Sequence, residues 1–275
     1  MTLEGDFHPE PDTTADRVFD PAARDFYVRT LQELRRAEVP FLLGGAYALA
    51  RYTGIERHTK DLDVFVRPED ARRTLDALAR AGYETDLTFP HWLGKAHRGR
   101  EFIDVIFSGS NGVGRVDDAW FEHAVHDEVF GESVSLCPAE EMIWHKAYVQ
   151  ERERFDGADV AHLLRARADR LDWDRLVSRF GPHRRVLLAH LVLFGFIYPG
   201  ERHRVPEALL ARLLDEVRAE AVERIESDEC GGPILSRAQY LSDLEDGALR
   251  DARVTGGYMT PSDVAQWTAA IDRED

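Results

Sequence analysis

Three aspartates lie in segments that otherwise read as buried strands. Asp61 and Asp63 alternate with Leu62, Val64 and Val66, and Asp104 stands between Ile103 and Val105. A period of two predicts that Asp61 and Asp63 turn to one face of a strand. An ionised carboxylate in apolar surroundings is costly unless a cation compensates it. Three that converge would repel one another unless a divalent cation sat between them. Mg²⁺ prefers hard oxygen ligands, typically one or two carboxylates plus substrate phosphates. Upstream, Leu43-Gly44-Gly45 ends an apolar run just before a helical one, and a helix N-terminus is a ready phosphate site. Singly, a Gly-Gly is commonly a turn and an Asp-x-Asp a solvated strand end. In this order, and on strand-like segments, they predict a metal-dependent phosphoryl or nucleotidyl transfer site.

Gly44-Gly45, a short helix, Asp61-x-Asp63 and the later lone Asp104 resemble the polymerase-β-type nucleotidyltransferase superfamily. The resemblance spans roughly residues 40 to 107 and extends more weakly to about residue 160. It implies that Gly44 and Gly45 open a helix against a nucleoside triphosphate and that Asp61 and Asp63 bind Mg²⁺ (or Mn²⁺). It also implies that Asp104 helps bind metal or activates the attacking hydroxyl. Gly-Gly-Ala-Tyr replaces the Gly-Ser of many members, which leaves backbone N–H groups rather than a serine hydroxyl to meet phosphate. The interval from Gly45 to Asp61 is slightly longer than is common in the family.

Lys146, the arginines 152 and 154, and Asp156-Gly-Ala-Asp159-Val-Ala are similar to the abortive-infection toxin branch of that superfamily. There a lysine meets the nucleotide phosphates and a later aspartate completes the pocket, which casts Lys146 and Asp159 as nucleotide-binding residues. A lysine suits phosphate because it is a compact charge with three donors. Arg57, Thr59 and Lys60 lead into the aspartate pair, and Thr59 and Lys60 join the nucleotide-binding candidates.

Composition narrows the class. Of 275 residues, 44% are hydrophobic and 31% charged, as in a soluble globular protein of one or two domains. No apolar run reaches membrane-spanning length; the richest, from Val186 to Tyr198, contains His190 and predicts a buried helix. The start of the chain lacks the basic and apolar regions of a signal peptide. Cys137 and Cys230 suggest neither a disulfide framework nor a zinc site, consistent with a cytoplasmic setting. The net charge is −16, and most of it comes from the termini: residues 1–20 hold one Arg against six acids, and residues 227–275 four Arg against ten. An acidic chain lacks the usual footprint of a nucleic-acid binder, and a cationic small molecule is the more comfortable acceptor.

The elements that must position these residues follow from pattern and punctuation. Residues 1–20 read as a flexible acidic arm. A helix then begins near Pro21, with Phe26, Leu31 and Leu34 on its apolar side, and ends at Glu38-Val39-Pro40. Strands are predicted at 41–45, 61–67, 83–89, 101–107 and 134–137, with helices at 46–52 and from Pro68 to Gly82. This gives an α/β (α+β) fold: a mixed β-sheet domain with packed helices at 21–138, which the resemblance makes the nucleotidyltransferase catalytic domain, followed by an all-helical domain at 139–226. Helices are expected at 139–153, 157–168, 174–180, 183–198 and 206–225, and residues 227–275 form a C-terminal segment of uncertain structure. Gly109–Gly114 reads as a hairpin turn rather than a phosphate loop, since no Lys-Ser/Thr follows it. His123 and His126 lack zincin spacing. Trp92, beside His91, reads as a core or rim aromatic.

The expected reaction is Mg²⁺-dependent transfer of a nucleoside monophosphate from a nucleoside triphosphate to a hydroxyl-bearing acceptor. The favoured acceptor is a small molecule, as for antibiotic nucleotidyltransferases. The alternatives are a toxin-like enzyme acting on tRNA or protein, and a catalytically inactive nucleotide-binding member. No membrane partner is expected.

Overall fold

The computed structural model describes residues 21–57, 59, 61–222 and 226–271. The acidic arm at 1–20, Lys60 and residues 223–225 therefore lie outside the described residues. The chain runs α1 (Pro21–Arg36), β1 (Leu42–Leu43), α2 (Gly45–Thr53), β2 (Asp61–Phe65), α3 (Ala71–Arg80), β3 (Glu84–Phe89), β4 (Leu93–Arg98) and β5 (Glu101–Ile106). It continues through α4 (Asp118–Glu122), β6 (Val125–Val129) and β7 (Glu132–Leu136). The seven strands form one sheet in the order β3-β4-β5-β2-β1-β7-β6. It is mixed: β2–β5 and β1–β7 are parallel, whereas β1–β2, β3–β4, β4–β5 and β6–β7 are antiparallel.

Alternation does the positioning. Leu62, Val64, Ile103 and Val105 are fully buried on one face, where α3 packs. Leu75 of α3 lies over Gly94, so close that a Cβ on the glycine would come within 2.8 Å of Leu75 Cδ1. The opposite face carries Asp61 and Asp63 of β2, Asp104 of β5 and, on the neighbouring β4, Lys95. α3 follows the expected helical stripe, burying Ala71, Thr74, Leu75, Ala77 and Leu78.

From Ala139 onward the larger elements are helical: α5 (Ala139–Ala147), α6 (Gly157–Arg167), α7 (Trp173–Phe180), α8 (Arg184–Ile197) and α9 (Glu207–Val222). The C-terminal stretch adds β8 (Glu229–Cys230), α10 (Gly232–Leu235), β9 (Arg250–Asp251), α11 (Ala252–Thr255) and α12 (Pro261–Thr268). It returns to the sheet, where Trp267 packs edge-on against Phe89 and Trp92 with centroids 4.7 and 5.5 Å away. Among the described residues no helix is long and apolar enough to cross a membrane.

Several expectations need correction. The helix at 139–153 ends at Ala147, because Gln150 N–H donates to Leu235 O and Gln150 bridges to Phe155. Gly109–Gly114 is not a hairpin: β5 runs through it into α4, and Asn111 Nδ2 donates to Ile234 O at 2.6 Å. The helix over Val186–Tyr198 is buried on one side only. Leu187, Leu191 and Phe194 are inside, whereas Val192 and Phe196 are exposed. β4, α4 and β6 were not foreseen in the sequence.

Candidate active site

The parallel register of β2 and β5 sets Asp63 directly beside Asp104, with Asp61 beside Phe102. Asp61, Asp63 and Asp104 each present a carboxylate oxygen within 4.8 Å of the others. All three are half-buried. Thr59 Oγ1 donates to Asp61 Oδ1 at 2.5 Å and so fixes that carboxylate from the preceding loop.

Gly44 and Gly45 form the second wall. Gly44 N–H donates to Asp63 O at 3.0 Å, which ties the entry of α2 to β2. Gly45 has φ +56°, and a Cβ there would lie 1.7 Å from Asp63 Oδ2. Only glycine combines that backbone with that approach. The first turn of α2 thus begins against the carboxylates, its unpaired N–H groups available to an anion.

Lys146, at the end of α5, supplies positive charge from the helical side. Its Nζ lies 2.8 Å from both Asp156 Oδ2 and Asp159 Oδ2, and Arg57 pairs with Asp159. Burial alone would lower the Lys146 pKa, but Asp156 and Asp159 outweigh it and raise it. Asp159 is thus placed as an anchor for Lys146 and Arg57, one step back from the carboxylates.

The electrostatics suit a cation. Burial first, then the charges of Asp61 and Asp104, push Asp63 up to about 7, against the pull of Lys146 and Arg154. Burial also raises Asp104, opposed by Lys95, whose Nζ donates to Asp104 Oδ1 at 2.7 Å. Three hard oxygen donors are the set that Mg²⁺ or Mn²⁺ takes. The residues present fit a divalent ion.

Lys95 escaped the sequence reading. Its signal lay in strand register: β4 pairs antiparallel with β5 and puts Lys95 opposite Asp104. Arg154 likewise acts on Asp63 and pairs with Asp156. His123 and His126 join no carboxylate cluster among the described residues, and Trp92 stacks on Phe89 as a rim aromatic.

A family model described as "Uncharacterised nucleotidyltransferase" matches residues 23–195. No curated protein matches the chain significantly. Among solved structures, the chain is similar to the solution structure of the antibiotic-resistance factor ANT(2'')-Ia, at 16% identity over 62% of this chain and 98% of that one, TM-score 0.44. It is also similar to the lincosamide antibiotic adenylyltransferase LnuA with lincomycin bound, at 16% identity over 51% and 94%, TM-score 0.37. A third is JHP933 from Helicobacter pylori, at 12% identity over 74% and 98%, TM-score 0.39. At such distances what each of these binds is a statement about that protein alone.

Proposed function

This chain belongs to the nucleotidyltransferase family whose model spans residues 23–195, and we propose that it transfers a nucleoside monophosphate from a nucleoside triphosphate to a hydroxyl of a cationic small molecule, using Mg²⁺ or Mn²⁺. The observation that carries this reading is the convergence of Asp61, Asp63 and Asp104 against the glycine-opened end of α2.

Asp61 and Asp63 would hold the ion, with Asp104 sharing it or taking the acceptor's proton. When bound, the ion supplies positive charge that offsets the charge developing on the transferred phosphate. Gly44 and Gly45 let backbone N–H groups approach the triphosphate. Lys146, held upright by Asp156 and Asp159, meets its phosphates as a fixed point charge. Thr59 orients Asp61, and the raised pKa of Asp104 suits a group that accepts a proton from a hydroxyl. Residues 21–138 act here as the catalytic unit and 139–226 as the helical wall that brings Lys146.

Two features support a cationic small acceptor: the net charge of −16 and the surplus of carboxylate at the site. A cytoplasmic setting is supported by the two free cysteines, one of them buried.

The test is pyrophosphate release from each of ATP, GTP, CTP and UTP with Mg²⁺, against a panel of amine-bearing alcohols, for wild type and Asp63→Asn. Release that needs both an acceptor and Asp63 is the expected result. Full activity in Asp63→Asn overturns the assignment of the ion to these carboxylates.

A further inference from the structure

Where the far end of α2 meets the start of α5 and the turn between α6 and α7, the surface folds into an open cavity of about 220 Å³. It shares no lining residue with the carboxylate site. Three arginines reach it, Arg167, Arg170 and Arg175, together with His123 and the ring of Tyr52. In a chain of net charge −16 this concentration of cations is notable.

The carboxylates in the lining are already engaged. Glu140 pairs with Arg175 at 2.6 Å and accepts from Asp172 N–H at 2.7 Å. Asp172 caps α7, accepting from Arg175 N–H at 2.9 Å. Two of the arginines have no such counterpart. Arg167 lies over the Tyr52 ring at 5.1 Å, and its buried Nε has no hydrogen-bond partner. Arg170 is exposed and makes no side-chain ion pair or hydrogen bond among the described residues. Arg175 is also bonded to Glu141, which is fully buried behind it. Arg167 and Arg170, without carboxylate partners, stand beside the paired Arg175 at one concave site and leave positive charge there unneutralised. Guanidinium groups match the oxygens of phosphate by geometry as well as charge.

We propose that this cavity binds a phosphate-type oxyanion, inorganic phosphate or pyrophosphate, at a site separate from the transfer centre. The size selects within the class. Pockets for drug-sized ligands run to roughly 300–1,000 Å³, so this cavity suits a small oxyanion rather than a whole nucleotide. Arg167 and Arg170 contribute the unneutralised charge, and Arg175, already held by Glu140 and Glu141, stands behind them. His123 supplies a ring donor on the sheet side.

The test is thermal stability in EDTA, without nucleotide or acceptor, during titration with phosphate, pyrophosphate or chloride at matched ionic strength. A ligand that binds only the folded state raises stability by mass action. Wild type and Lys146→Ala are expected to show a saturating rise with one of the two oxyanions and none with chloride. Arg170→Glu, a change at an exposed position, is expected to weaken that binding about tenfold or more, as loss of a charge-assisted contact does. The phosphate and pyrophosphate arms identify which ion fits. A rise lost in Lys146→Ala but kept in Arg170→Glu places the ion at the transfer site and overturns the proposal. The absence of any saturating rise overturns it equally. Because no divalent ion or acceptor is present, neither result bears on the transfer reaction.

Discussion

Lys95 stands opposite Asp104 across the β4–β5 pair, its Nζ 2.7 Å from Oδ1. It is bonded directly to Asp104, while Lys146 and Arg154 act on Asp63. A divalent ion must compete with this ammonium for Asp104, since a positive charge close by weakens cation binding. Lys95→Met should therefore have opposite effects on the two forms. Metal-free protein should lose about 1 kcal/mol, a figure kept low because the pair is partly exposed. The stabilisation produced by Mg²⁺ should grow. Thermal unfolding with EDTA and with Mg²⁺ measures both, and an unchanged response to Mg²⁺ would separate Lys95 from the ion site.

Gly45 is constrained twice, by φ +56° and by the Asp63 carboxylate that a Cβ would strike. The left-handed backbone alone costs a non-glycine residue about 1–2 kcal/mol. The larger effect falls on the site, because the methyl group must push Asp63 aside. Misplacement of about 1 Å can cost 10²-fold in rate. Gly45→Ala is expected to fold with reduced stability and to lose about 10²-fold in transfer. Near-normal turnover would show that Asp63 need not occupy its present position.

Asp156 gives a pH signature. Burial would raise its carboxyl, but Lys146 and Arg154 outweigh that and hold it at about 2, against 3.8 for the unperturbed group. A carboxyl depressed in the folded state contributes stability above its unfolded pKa and loses it as pH falls through the folded value. The contribution is about 2 kcal/mol at neutral pH. Urea unfolding of wild type and Asp156→Asn should differ by about that amount at pH 6. The gap should narrow below pH 4 and close only below about pH 2. A gap independent of pH would assign the effect to packing rather than charge.

Much of this arrangement was legible because it is local. Alternation about Asp61, Asp63 and Asp104 encodes strands with a polar face, and Gly44-Gly45 before Ala46 marks where α2 begins. Lys95 was not legible, because Leu93-Gly-Lys-Ala-His-Arg98 carries too little apolar alternation to announce a strand. Its meaning depends on which residue of β5 it faces, a non-local pairing. α5 fails in the opposite way. Tyr148 to Glu153 could continue a helix on propensity alone, but Gln150 spends its N–H on Leu235, 85 residues away in the chain. Tertiary bonding overrides propensity there. The pairing of Lys146 with Asp156 and Asp159 was not legible either, since the resemblance cast Asp159 as part of the nucleotide pocket and left Asp156 without a role.

The C-terminal segment lies beyond the residues matched by the family model, yet it binds both halves of the protein. Asn111 donates to Ile234 O on the sheet side, and Ser236 pairs with Glu151 on the helical side. Trp267 is 9% exposed and fills the space against Phe89 and Trp92, with the Arg237 guanidinium 4.3 Å over its ring. Truncating a large buried aromatic to alanine costs about 3–5 kcal/mol, and the residual exposure puts Trp267→Ala near the lower figure. Because β4 follows Trp92 directly and carries Lys95, the loss should also loosen the strand that faces Asp104. Trp267→Ala is thus expected to lower stability by about 3 kcal/mol and to raise amide exchange in residues 89–98. Lost stability with exchange unchanged in that stretch would make Trp267 a peripheral clamp without influence on the site.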